Sequence, residues 1–194
     1  MSVSNKDKIK NYIKESSVAI SAVEEISAEV EKAAIKIEEV LKAGGKVLTM
    51  GCGGSAADSL HISTELLCRF RKNRGPLAAI DLTSNSSYVT AVSNDYDFSE
   101  VFSRQIDALA TEKDAVIVIS TSGNSESALK AADMAKEKGA TLIVMTGTPG
   151  GKLAGKADIL LRAPSSITSH IQECHQVIFH MICLIVEDSV FPDA

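Results

Sequence analysis

The sequence predicts an α/β fold, a three-layer sandwich around a five-stranded parallel sheet, with helices placed ahead of the first strand. Three observations carry this. From Lys46 onward, short apolar runs alternate with amphipathic stretches of helical period, the pattern of parallel strands covered on both faces by crossover helices. Residues 5–43 carry helical spacing and no strand-like run. Two loops about seventy residues apart, Met50-Gly51-Cys52-Gly53-Gly54-Ser55 and Ile119-Ser120-Thr121-Ser122-Gly123-Asn124-Ser125, each join an apolar run to a helical one.

In chain order, Ile9, Tyr12 and Ile13 share one helical face. Val30, Ala34, Ile37, Val40 and Leu41 then recur at helical spacing until Gly44-Gly45 ends the run. Val47 to Met50 reads as the first strand and is followed by a helix over 56–70. Leu77 to Leu82 is the second strand, with helical stretches across 86–110. Ala115 to Ile119 precedes a helix over 125–138, and Thr141 to Thr146 precedes a short helical link. Asp158 to Arg162 completes the sheet before a last helix over about 168–189. No linker or repeat divides the chain, so 1–194 reads as one domain with a helical extension over about 5–43.

Composition narrows the function. With 45% hydrophobic and 23% charged residues the chain is of the soluble globular class. A net charge of -5 argues against a nucleic-acid surface, and basic residues cluster only at Arg69-Phe70-Arg71-Lys72-Asn73-Arg74. That run reads as a solvated helix end, with an arginine reaching an anionic ligand as the alternative. The first eight residues lack the apolar core of a signal peptide, and no stretch reaches the roughly eighteen apolar residues of a membrane span, so a cytoplasmic protein is expected. Cys52, Cys68, Cys174 and Cys183 show no C-x-x-C pairing and read as free thiols.

The two loops point to a phosphorylated ligand. A strand-to-helix junction offers an anion unpaired amides, the positive end of a helix and close backbone approach. Ser120, Thr121, Ser122 and Ser125 add uncharged donors within six residues. Neither loop has a Walker lysine, and Ala56 stands where a dinucleotide motif needs its third glycine, so nucleotides are not the first reading. His61 and Glu65 lie four residues apart on one face of the helix behind the first loop, spaced for a metal pair or for a general base beside the phosphate site. The last helix places Gln172, Glu173, His175, Gln176 and His180 in an apolar segment. They read either as buried polar groups at a subunit interface or as a contribution to a cavity. Gln172 and His180 are about 12 Å apart along a straight helix, so one ion reaches both only if their side chains converge, or else they serve different protomers' sites.

With these residues assembled, the chain resembles the sugar isomerase (SIS) domain family, whose fold is flavodoxin-like. Within it the likeness is to the phosphoheptose isomerases, which interconvert sedoheptulose 7-phosphate and D-glycero-D-manno-heptose 7-phosphate. The resemblance runs nearly end to end: Gly51 to Ser55 with Ala56-Ala57-Asp58, His61, Glu65, Arg69, Ser93-Asn94-Asp95, Ser120 to Ser125, Thr146-Gly147, Gly150-Gly151, Ile171-Gln172-Glu173 and His180.

The resemblance implies an aldose-ketose isomerase acting through an enediol and serving heptose synthesis for bacterial surface polysaccharide, lipopolysaccharide or capsule. It implies that Ser120, Thr121, Ser122 and Ser125, helped by Ser55 and the Gly53-Gly54 backbone, hold the phosphate, with Cys52, Asn94, Asp95, Glu65 and Gln172 at the substrate. It implies one zinc per subunit on His61, Glu65, Gln172 and His180, a catalytic pair of Glu65 and His180, and a homotetramer with active sites at subunit interfaces. Two departures stand out. Cys52 replaces the asparagine of the usual Gly-Asn-Gly-Gly-Ser loop, and Asn85 stands where the family often has aspartate; both bear on substrate selectivity. The alternatives are a non-catalytic SIS-domain protein of the kind that associates with the replication initiator, whose mark would be loss of the carboxylate, and an isomerase of another phosphosugar.

Overall fold

The structure is a computed structural model, and it describes residues 3–194; of the N-terminal residues read above for a signal segment, Met1 and Ser2 lie outside this range. Helix α1, Asn5–Ser21, starts at Ser4, whose hydroxyl accepts from the Asp7 amide and so satisfies one of the unpaired donors of the first turn. The helices expected over 5–43 are two. A tight 3-10 segment, Ala22–Ile26, separates α1 from α2, Ser27–Lys42, with neither glycine nor proline to mark the break. Val23 is buried at this junction while Glu24 and Glu25 are exposed, so the tighter turn re-aims the apolar face between the two helices.

The sheet is five-stranded and parallel throughout, as expected, in the order β2-β1-β3-β4-β5. Its strands are β1 Val47–Gly51, β2 Ala79–Asp81, β3 Ala115–Ile119, β4 Thr141–Thr146 and β5 Ile159–Arg162. Every residue of β1 and β3 is buried, which explains why these strands read as unbroken apolar runs. Alternate side chains enter opposite layers. Ile117, Ile119, Ile143 and Met145 pack with α1, α2, α3 (Gly54–Leu67) and α7 (Thr168–Val190). Val116, Val118, Leu142 and Val144 pack with α4 (Ser86–Asp95), α5 (Ser103–Leu109) and α6 (Glu126–Glu137). The second strand is shorter than the run Leu77 to Leu82: Ala79, Ile80 and Asp81 lie in register with Val47, Leu48 and Thr49, and Ala78 and Leu82 add one backbone hydrogen bond each at its ends.

In this strand order the chain reverses direction across the sheet between β1 and β3, and the crevice beyond their carboxyl ends is the place an α/β sheet offers a ligand. Both loops singled out in the sequence leave those two ends. In the N-terminal helix, Ile9, Ile13 and Val18 point outward, Ile13 with 59% of its surface open, while Tyr12 and Ser16 donate to the Glu173 carboxylate and fasten α1 to α7. Among the described residues no helix is long and apolar enough to cross a membrane.

Candidate active site

The first half of the site is a cavity of about 170 Å³ lined by Cys52, Ser55, Ile119, Ser120, Thr121, Ser122, Ser125 and Ala128. The two loops thus face one another, and the hydroxyls of Ser55, Ser120, Thr121, Ser122 and Ser125 reach a single space. Helix α6 opens at Glu126, directly after Ser125, so its positive end lies at this space and favours an anion. The loop is fixed by two interlocked glycines: Gly123 has φ +65° and a side chain there would stand 2.0 Å from the Gly150 carbonyl oxygen, while Gly151, at φ +57°, would meet the Gly123 oxygen at 2.5 Å. Larger surface hollows occur elsewhere, about 530 Å³ beside Lys32, Lys36 and Lys136 and about 570 Å³ beside α1, but neither gathers neutral donors in this way.

Cys52 does more than line the wall. Its sulfur lies 3.4 Å from the Ser127 hydroxyl, which in turn is 3.1 Å from the Ser125 hydroxyl, so a buried serine that the sequence did not single out links the two loops. Gly53, at φ +60°, turns the chain into α3. Gly54 follows, and its missing side chain makes room for Gln172, because a Cβ there would stand 2.2 Å from the Gln172 amide nitrogen.

The second half of the site lies farther along α3. His61 Nε2 is 2.9 Å from Glu65 Oε1, and His180 Nε2 is 3.5 Å from His61 Nε2. The ligand atoms of all three lie within 4.8 Å of one another. Donors on a tetrahedral zinc with bonds near 2.0–2.1 Å stand about 3.3 Å apart, so the three residues could close on one metal ion with small side-chain movements, and their nitrogen and oxygen atoms suit zinc. The Gln172 amide meets Gly54 at the head of α3, seven residues before His61. The contacts of Gln172 with Gly54 and of His180 with His61 show that α3 and α7 run side by side in the same direction.

Burial, the neighbouring His61 and Arg71 together hold the His180 pKa below the ordinary histidine value against the opposing pull of Glu65. The Phe70 ring stacks on the His180 imidazole, 5.5 Å between centroids at 23°, and Phe179 meets His61 edge-on at 5.0 Å. Neither aromatic was singled out in the sequence. One turn before His61, Asp58 is buried with one carboxylate oxygen unpartnered, and burial raises its pKa to about 6 despite Gln176 and His61 nearby.

Other expected residues take different places. Asn94 and Asp95 end α4, exposed and hydrogen-bonded to one another at 2.8 Å, outside the lining of the cavity. Asn85 caps α4 by accepting from the Tyr88 amide, a task aspartate performs equally well, so the asparagine found here keeps the helix start. Of the polar residues in α7, His175 is a core group that contacts the Thr146 carbonyl oxygen, and burial lowers its pKa to about 4. Glu173 binds α1, and Gln176 is exposed. The basic run is solvated only in part: Arg69, Arg71 and Asn73 are exposed, whereas the Arg74 side chain is buried on Glu187 at 2.8 Å. The four cysteines are free, as expected, with Cys174 and Cys183 buried.

The SIS-domain family model matches residues 11–147, more than half of the chain. The chain is 45% identical over 188 residues to the phosphoheptose isomerase of Aneurinibacillus thermoaerophilus, covering 95% of each protein. It belongs to the phosphoheptose isomerases of the SIS-domain family. The fold agrees: a phosphoheptose isomerase structure from Francisella tularensis superposes with TM-score 0.93 at 37% identity, over 96% of this chain and all of that one. Another from Neisseria gonorrhoeae gives 0.91 at 35%, over 95% of this chain and all of that one. As a member of this family the chain is an isomerase of the aldose-ketose type, and its site is read below in that light.

Proposed function

We propose that this protein converts sedoheptulose 7-phosphate to D-glycero-D-manno-heptose 7-phosphate, in the cytoplasm, for heptose synthesis feeding a bacterial surface polysaccharide. The observation that carries the reading is the approach of the His180 imidazole of α7 to the Glu65 carboxylate and the His61 imidazole of α3, the helix whose head borders the hydroxyl-lined cavity. Ser55 and His61 are separated by roughly 9 Å of helix rise, the order of an extended seven-carbon chain. A phosphate on Ser55, Ser120, Thr121, Ser122 and Ser125 therefore puts the other end of the sugar near Glu65.

Glu65 takes a proton from C1 of the ketose while the C2 carbonyl oxygen receives one from His180, giving the enediol. The O1 hydroxyl then returns a proton to His180, Glu65 delivers its proton to C2, and the aldose leaves with both groups restored. A zinc ion held by His61, Glu65 and His180 would polarise the sugar oxygens during this transfer. Gln172, at the head of α3, would complete such a ligand set from a neighbouring subunit, in keeping with a homotetramer whose sites lie at subunit junctions. The outward Ile9, Ile13 and Val18 of α1 and Leu60 and Leu67 of α3 suit that assembly. Cys52, Asn94 and Asp95 act on the sugar hydroxyls in this reading, the last two at a site completed by assembly.

Reaction in deuterium oxide tests the proton path. Deuterium appears at C2 of the aldose with the native protein and not with Glu65→Gln, which still binds the phosphosugar. Equal deuterium incorporation by the variant would remove Glu65 from the role of base.

A further inference from the structure

Behind the reacting groups, the loop following α3 holds a buried ion pair that nothing in the proposed chemistry uses. Arg74 and Glu187 each keep only 1% of their side-chain surface exposed. The Arg74 guanidinium donates through Nε to Glu187 Oε1 at 2.8 Å, through Nη1 to the carbonyls of Leu66 at 2.8 Å and Gly75 at 2.9 Å, and through Nη2 to the carbonyl of Glu65 itself at 2.8 Å. The Glu187 carboxylate also accepts the amides of Phe70 at 2.9 Å, Arg71 at 2.7 Å and Lys72 at 2.9 Å. One charged pair therefore grips the end of α3, the loop that follows it and α7.

We propose that the Arg74–Glu187 pair is a positioning strut that fixes the register between α3 and α7, and with it the separation of Glu65 from His180. Three features favour this over a purely stabilising role. The guanidinium holds the backbone of Glu65, so a shift of the strut moves the carboxylate directly. Glu187 lies seven residues beyond His180, nearly the same face of α7 two turns on, so the strut and the imidazole share one rigid line. The loop amides on Glu187 seat Phe70, whose ring stacks on His180 and sets its orientation. Buried ion pairs add little net stability over apolar packing of the same volume, whereas displacement of reacting groups by about 1 Å costs on the order of 100-fold in rate. The inference rests on Glu65 and His180 as the reacting pair.

Arg74→Lys tests it, because lysine keeps the charge but a single nitrogen cannot span Glu187, Leu66 and Glu65 together. The assay temperature is held below the variant's unfolding, checked by circular dichroism. The expected result is a fall in kcat of roughly 10- to 100-fold, with KM for sedoheptulose 7-phosphate and the inhibition constant of inorganic phosphate within about two-fold, since the phosphate loops stand on other elements. A kcat unchanged in the folded variant, or kcat and phosphate affinity lost together, overturns the proposal. Should Arg74→Lys fail to fold, Phe70→Leu leaves the pair intact and is expected to lower kcat several-fold at the same phosphate affinity; native kcat there overturns the claim. Histidine labelled at Cε1 gives a readout independent of turnover, because the chain has only 4 histidines. The signals of His61 and His180 shift in Arg74→Lys while that of His175 stays in place. If native protein proves inactive yet these signals move, the isomerase reading fails and the strut stands; if native protein is active and they do not move, the strut fails.

Discussion

Glu187 makes the stability of this fold depend on acid in a calculable way. Burial alone would raise its pKa, but the amides of Lys72, Arg71 and Phe70 and the Arg74 guanidinium together outweigh burial and hold the carboxyl at about 2, against 4.5 ordinarily. A carboxyl whose pKa is depressed in the folded state stabilises above its unfolded value and loses that contribution as pH falls through its folded value. The interval from 4.5 to about 2, at 1.36 kcal/mol per pH unit, is worth about 3 kcal/mol at pH 7, of which about 2 kcal/mol is gone by pH 3. Other carboxylates with lowered pKa, Asp114 and Asp158 among them, also weaken the fold in acid, so the measurement is a difference between two proteins. Glu187→Gln leaves Arg74 buried without its counter-charge and should cost about 3–5 kcal/mol at pH 7. Guanidinium unfolding of native protein and variant at pH 7, 5, 4 and 3, followed by far-ultraviolet circular dichroism, should show that gap narrowing by about 2 kcal/mol toward pH 3. A gap constant from pH 7 to pH 3 would refute the reasoning, since Glu187 would then bind its proton equally in both states.

Three further outcomes follow from the geometry. Ser125→Ala removes one hydroxyl from the cavity and should raise KM for the phosphosugar roughly 10- to 100-fold, the loss of a hydrogen bond to a charged group, while kcat stays near native; steady-state kinetics checks this. Gly123→Ala forces φ +65° on an L residue and drives a methyl into the Gly150 carbonyl, so it should destabilise by more than about 1 kcal/mol and weaken inhibition by inorganic phosphate, measured by thermal unfolding and competition kinetics. Ile13→Glu places a charge on the outward apolar face of α1 and should shift a tetramer toward smaller species in light scattering; native protein found as a stable, active monomer would sink the tetramer itself.

Much of the fold was legible because its signal is local. Ala115–Ile119 and Thr141–Thr146 appear in the sequence with the bounds found in the structure, since a strand buried on both faces must be apolar throughout. The cavity was legible too: hydroxyls crowded at two strand-to-helix junctions can converge only beyond the strand ends. The break at Ala22–Ile26 left no mark, because it is imposed by packing rather than by a helix breaker. Likewise Arg74 looked as solvated as Arg69 and Arg71, which are exposed, since its partner Glu187 lies 113 residues away and nothing in the local pattern announces it. Phe70 and Ser127 escaped notice for the same reason: each matters through one side chain brought from far along the chain. The separation of Gln172 and His180 along α7 could be read from their spacing, but their partners on α3, Gly54 for the one and His61 for the other, emerged only from the pairing of the two helices.

The central claim is that Glu65 and His180 isomerise a phosphosugar held by the two loops. An NMR time course of native protein with sedoheptulose 7-phosphate, with and without added zinc and beside Glu65→Gln, tests it most directly. The account predicts that aldoheptose 7-phosphate appears with native protein and that the variant, though it binds the substrate, forms none. Absence of conversion by native protein in both conditions, with binding retained, would contradict it and leave the site a phosphosugar-binding surface without this chemistry.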